Sequence, residues 1–205
     1  MLRYQPRREV AWANRNNFGE RLLRDPRRRL VAYAPLVVLH ETNYSADSAL
    51  AWFSLSDLSD EQQASYHAII RRDGTIIQVV PTEKKAYGAA DSAFRLGQQV
   101  ETIYGAGGIP SVNSFTYHIS FETPLDGQDQ EPTHSGYTSE QYRSLAWLIA
   151  LTPVPDERIT THQAVDLSGE RMDPRSFDRD ALLLPLHYFR QLQAAGNSET
   201  SSAPP

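Results

Sequence analysis

The chain carries six histidines and 25 acidic side chains but no cysteine. Any metal it binds is therefore held by imidazole nitrogens and carboxylate oxygens. Disulfides, thiolate zinc sites, iron–sulfur clusters and cysteine nucleophiles are all excluded. A catalytic zinc takes about three protein ligands and keeps one position open for water. Two histidines stand where such ligands occur, at the junction of a rigid element and a loop. His40 closes the apolar run Leu36-Val37-Val38-Leu39, and His162 closes a short β-rich piece inside the stretch RITTHQAVDLSGERMDPRSFD, residues 158–178. Asp173 follows a polar loop around Gly169 that can fold back on His162, and Pro174 stiffens its exit. Asp166 lies in the same loop as a rival third ligand. A lone histidine at a strand end is more often a satisfied structural group, so these residue types alone leave the ligand set open.

The elements that must position these groups are legible in outline. Ser45 can cap a helix whose apolar face is Ala46, Ala49, Leu50 and Phe53. SYHAIIRR and TIIQVV flank Asp73-Gly74, a turn pair suited to a β-hairpin. Alternation puts Tyr66, Ala68 and Ile70 on one face and His67 and Ile69 on the other, so Tyr66 and His67 share a site only if the strand is irregular. Residues 84–114 lack periodicity, which points to a functional rim or lid, with plain disorder as the alternative. Tyr117 to Glu122 reads as a strand with Ile119 and Phe121 on one face. His118, Ser120 and Glu122 lie on the other, a polar face that suggests a site. Thr138-Ser139-Glu140-Gln141 is a capping box opening a helix with Tyr142, Leu145, Ala146 and Ile149 buried. Interleaved strands and helices give an α/β (α+β) class, one domain around a central mixed sheet flanked by helices.

The 205 residues, 40% hydrophobic and 22% charged, suit one globular domain. The expected division is a basic extension over residues 1–33, a catalytic domain over 34–180, a packed helix over 181–195 and a disordered tail over 196–205. Nine arginines crowd the first 29 residues, yet the net charge of −5 argues against a nucleic-acid partner. No apolar run reaches the ~20 residues of a membrane span, and no secretory signal is visible at the start. Nothing demands more than a monomer. His67 is expected to hydrogen-bond in the core, His118 to be structural or groove-lining, and His134 and His187 to lie on the surface. Trp52, Phe53, Tyr142 and Trp147 are read as core aromatics.

Four segments, LVVLHET, SYHAIIRRDGTIIQVV, NSFTYHISFE and RITTHQAVDLSGERMDP, occur in the order and at the separations found in zinc-dependent N-acetylmuramoyl-L-alanine amidases. The chain resembles that family, which includes phage T7 lysozyme and the peptidoglycan recognition proteins, over about residues 34–180. The resemblance implies Zn2+ held by His40, His162 and Asp173. It implies Glu122 as the acidic residue working near the water, Tyr66 as an assisting tyrosine, and Arg171 where relatives place an oxyanion-stabilising lysine. The implied reaction is hydrolysis of the amide between N-acetylmuramic acid and L-alanine in peptidoglycan or muropeptides. A binding module that holds muropeptides without cutting them is the alternative, and hydrolysis of another stem amide is a minor one. Glu41 stands where many relatives have a second histidine, and Tyr87-Gly88 where they have a Trp-His pair. The cell envelope, the exterior or a cytoplasmic recycling role all suit such a substrate.

Overall fold

The segment Leu36–Leu39 is branched and apolar at every position, the composition of a strand covered on both faces, and all four residues are fully buried. The computed structural model describes residues 4–105 and 107–201. Its strands are β1 (Arg8–Val10), β2 (Phe18–Glu20), β3 (Leu36–Glu41), β4 (Ala68–Ile70), β5 (Ile76–Gln78), β6 (Lys84–Ala86), β7 (Phe94–Leu96), β8 (Gln99–Glu101), β9 (Ile103–Tyr104), β10 (Pro110–Ser111), β11 (Thr116–Phe121) and β12 (Ile159–Thr161). The helices are α1 (Ala46–Phe53), α2 (Ser139–Ala150), the single-turn α3 (His162–Val165) and α4 (Arg179–Ser201).

Six strands build one mixed sheet in the order β1-β5-β4-β11-β3-β12. Its neighbours run parallel except for the β4–β5 hairpin. Gly74 takes φ +82° in that hairpin's turn, and the Asp73 carboxylate accepts the Thr75 N–H at 2.9 Å. On one face Val37, Leu39, Ile119 and Phe121 meet Leu145 and Ile149 of α2 and Leu182 and Leu186 of α4. On the other, Leu36 and Val38 pack with Val112 and Phe115. Ile69 and Ile77 pack with Ala46 and Phe53 of α1. His40 follows Leu36 and Val38 at period two, so it opens onto this second face. The caps form as the sequence indicates: Ser45 Oγ accepts the Ser48 N–H, and Thr138 and Gln141 complete a capping box on α2.

Several expectations are revised. Residues 8–21 are not a loose extension. β1 pairs along β5, Ala11 and Ala13 donate to Gln78 and Val79, and the fully buried Asn17 donates to the carbonyls of Phe53 and Leu55. Exposure alternates along the run REVAWA, but its polar and apolar residues do not, so the sequence shows no strand period there. Residues 84–114 contain five short strands, with β6 paired to β2, β7 to β8 and β9 to β10. Helix α4 continues past residue 195 to Ser201, so the disordered reading of the tail fails there; 202–205 lie outside the described residues. Trp52 is 44% exposed, its indole N–H donating to the Gln62 carbonyl. No helix among the described residues is long and apolar enough to cross a membrane.

Candidate metal centre

Parallel pairing brings the two histidines together. β12 ends at Thr161, whose hydroxyl accepts the Ala164 N–H and opens α3 with His162 as its first residue. Thr161 is in register with Leu39, which sets His162 beside His40, and the two rings lie 4.7 Å apart. The loop after α3 then returns. Gln163 donates its N–H to the Asp173 carbonyl at 3.0 Å, fixing the backbone of that residue against the helix. The Asp173 carboxylate Oδ2 stands 3.1 Å from Nδ1 of His40 and 3.1 Å from Nδ1 of His162. One donor atom from each of the three residues falls within a 4.8 Å group. Asp166 is occupied elsewhere: its carboxylate accepts from Ser168, Glu170 and Arg171 inside its own loop.

Charge states suit a cation. Burial pushes His40 down to about 4, against the opposing hydrogen bond to Asp173. Burial alone would raise Asp173, but hydrogen bonds from His162 and His40 outweigh it and hold the carboxyl well below the usual range. Near neutral pH, His40 is thus neutral and Asp173 ionised, the forms a divalent metal requires of its ligands. Two imidazole nitrogens and one carboxylate oxygen, free of sulfur, form a donor set zinc accepts, with one position left over.

The surrounding residues divide into those that face this group and those that brace it. Tyr66 stacks on His40 at 4.6 Å between ring centroids. Burial, and then the charge of Asp173, push its phenol up, so it keeps its proton. Tyr66 reaches this face because β4 begins only at Ala68 and both Val79 and Val80 donate to the His67 carbonyl, breaking the alternation, while the His67 ring lies against β11 and accepts the His118 N–H. His118 is fully buried, and its Nδ1 lies 2.9 Å from Nε2 of His40. Burial holds both His67, at about 3, and His118 neutral. Arg171 is exposed, and its charge acts to lower both His40 and Tyr66.

Glu122 is placed differently from the metal group. Ser120, not Glu122, is in register with His40. Glu122 lies two residues further along, roughly 7 Å at a strand's rise. Its carboxylate accepts the Ala46 N–H at 3.1 Å and the Arg72 N–H at 3.0 Å, with the Arg72 guanidinium 3.4 Å away. It therefore seats the first residue of α1 and the Arg72 turn.

Sequence reasoning missed the brace behind Asp173. Glu41, buried next to His40, takes Arg175 at 2.5 Å, Tyr137 at 2.7 Å and His134 at 2.9 Å. Arg175 also donates to the carbonyls of Gly127, Asp129 and Glu131. His134, expected at the surface, has a fully buried side chain. The signal was present: a carboxylate ending a strand buried on both faces must find a cation or several donors. This pair ties the segment just past Asp173 to the strand that carries His40.

Comparison with known proteins places the chain in a family. The chain matches the Amidase_2 family, described as N-acetylmuramoyl-L-alanine amidase, over residues 32–176. No curated protein matches it. Among solved structures, a selenomethionine derivative of AmpD is 22% identical with a TM-score of 0.57, covering 88% of this chain and 94% of that one. The Staphylococcus aureus hydrolase AmiA, solved with its ligand, is 16% identical with a TM-score of 0.57, covering 94% and 87%. These likenesses show that the fold is shared.

Proposed function

The chain belongs to the Amidase_2 family of N-acetylmuramoyl-L-alanine amidases, and from that premise we propose that it hydrolyses the bond between the lactyl carbonyl of N-acetylmuramic acid and L-alanine at a zinc site made by His40, His162 and Asp173. The observation that carries this reading is the convergence of both histidine Nδ1 atoms on one Asp173 carboxylate, with His40 kept neutral and Asp173 ionised. Bound there, zinc supplies a Lewis acid that polarises the scissile carbonyl and lowers the pKa of water to about 7.

The chain's own residues supply the remainder. His40 and His162 act as nitrogen donors, and Asp173 balances one of the two metal charges. Tyr66, kept protonated above His40, is a hydrogen-bond donor for the negative charge that develops on the carbonyl oxygen. Arg171 adds positive charge from the solvent side, a contribution worth about 3 kcal/mol where a donor reaches the oxyanion. Glu122 carries the proton from water to the leaving amine in this reading. A carboxylate offers about four acceptor sites, and its contacts with Ala46 and Arg72 leave at least one for water.

The test is direct. Bound zinc is measured, and purified peptidoglycan and soluble muropeptides are incubated separately with the protein. Free stem peptides beginning with L-alanine, identified by mass spectrometry and lost on chelation, are the expected products. Stoichiometric binding without fragments would turn the reading into that of a muropeptide-binding module.

A further inference from the structure

His118 has no part in the mechanism above, yet it is fully buried against a metal ligand. Its ring sits in a seat only glycine allows, since a Cβ on Gly88 would lie 2.4 Å from its Nδ1 and 2.5 Å from its Cγ. Its backbone N–H donates to Nδ1 of His67 at 3.0 Å, and the two rings lie parallel within 9°. Its Nδ1 meets Nε2 of His40 at 2.9 Å, while its own Nε2 has no partner among the described residues.

The contact between two neutral imidazoles can hold only one proton, and the direction of that bond decides what His40 can do. If His118 donates from Nδ1, His40 must carry its proton on its own Nδ1, the atom facing Asp173 Oδ2 at 3.1 Å. That atom is then a donor to the carboxylate and has no lone pair for a metal. If His118 accepts, His40 carries its proton on Nε2 and its Nδ1 lone pair faces the group formed with His162 and Asp173. His118 then carries its proton on Nε2, the atom without a partner.

We propose that His118 is a positioning residue that selects the metal-binding tautomer of His40 by accepting its Nε2–H. Zinc binding inverts both rings together, from Nδ1–H to Nε2–H, and the unpartnered Nε2 of His118 is the cost the fold carries for that state. The inference rests on the zinc reading of His40, His162 and Asp173. The hydrogen-bond partner of a metal-bound histidine typically changes metal affinity by about 10–100-fold when removed.

Zinc affinity is measured by chelator competition for the full chain and for His118→Leu and His118→Asn, with unfolding in excess chelator as a check on folding. The asparagine oxygen takes the place of Nδ1 as an acceptor, whereas leucine fills the seat without one. The expected result is zinc bound about 10–100-fold more weakly by His118→Leu and within a few-fold of the parent by His118→Asn. Nitrogen-15 spectra of the unsubstituted chain are expected to show His40 and His118 both changing to Nε2–H on adding zinc. Equal affinity in His118→Leu, equal losses in both variants, or a His118 tautomer that zinc leaves unchanged overturns the proposal. If the leucine variant does not fold, the spectra decide. Failure of the unsubstituted chain to bind zinc overturns the metal reading itself.

Discussion

Replacing Glu122 with glutamine separates two roles that this residue is asked to play. Its side chain is 9% exposed, and its two oxygens receive the N–H groups of Ala46 and Arg72. Glutamine keeps one oxygen and turns an NH2 group toward the other partner, leaving one buried N–H unmet at about 1–3 kcal/mol. The Arg72 guanidinium, 34% exposed, loses a counter-charge worth at most about 1 kcal/mol. The sum of about 1–4 kcal/mol corresponds to a fall of roughly 2–16 °C in Tm for a chain of this size. Zinc content is expected to be unchanged, because Glu122 is outside the ligand group. If the carboxylate also carries the water's proton, kcat falls by about 100-fold or more at a temperature where both proteins are folded. Differential scanning calorimetry and release of stem peptide from a soluble muropeptide measure the two effects separately. A lower Tm with kcat within about threefold would refute the proton-carrying role and leave Glu122 as a cap on α1. An unchanged Tm would refute the energetic reasoning from its hydrogen bonds.

Four other outcomes follow from the same geometry. After dialysis, Asp173→Ala is expected to lack zinc by metal analysis while Asp166→Ala retains it; the reverse would transfer the ligand role to Asp166. Gly88→Ala places a methyl 2.4 Å from the His118 ring, and is expected to cost about 1–3 kcal/mol in urea unfolding. Unaltered stability would mean the ring has room to move. Glu41→Leu removes the buried carboxylate from Arg175 and leaves its guanidinium only the half-exposed Asp129 carboxylate at 3.6 Å, for an expected loss of about 3–5 kcal/mol; a loss under 1 kcal/mol would rule out the brace. His67 is held at about 3 in the fold, below its ordinary 6.5, so the unfolded chain binds more protons between those values. Stability from this group is complete above pH 6.5 and is lost as pH falls toward 3, by about 3 kcal/mol at pH 4.5. Urea unfolding in chelator at pH 7 and 4.5 reads this loss together with those from His40 and His118, which burial also holds low, and equal midpoints would contradict it.

Local patterns made half of this site visible. His40 terminates an apolar run and His162 a short β-branched one, and the alternation of β11 announced a polar buried face, because burial and period two leave marks within a few residues. What escaped depends on pairs far apart in the chain. Glu41 and Arg175, 134 residues apart, become intelligible only once β3 and the loop after α3 are adjacent. His118 gains its meaning from Gly88, whose missing side chain leaves no periodic trace. Tyr66 came onto the correct face through a break in β4 that simple alternation forbids. The strands between residues 84 and 114 are two or three residues long, too short for any pattern to stand out from loop.

The pairing of β1 with β5 has a practical consequence for how this protein is cut. The family match begins at residue 32, and trimming the chain there would look harmless. It would strip the outermost strand from the sheet and leave the N–H and C=O groups of Ile76–Gln78 bare beside an apolar surface. An exposed strand of that kind pairs with whatever chain is nearest, including another copy of itself. A shortened protein would thus be prone to clump, and its lost solubility would be easily mistaken for a defect in catalysis.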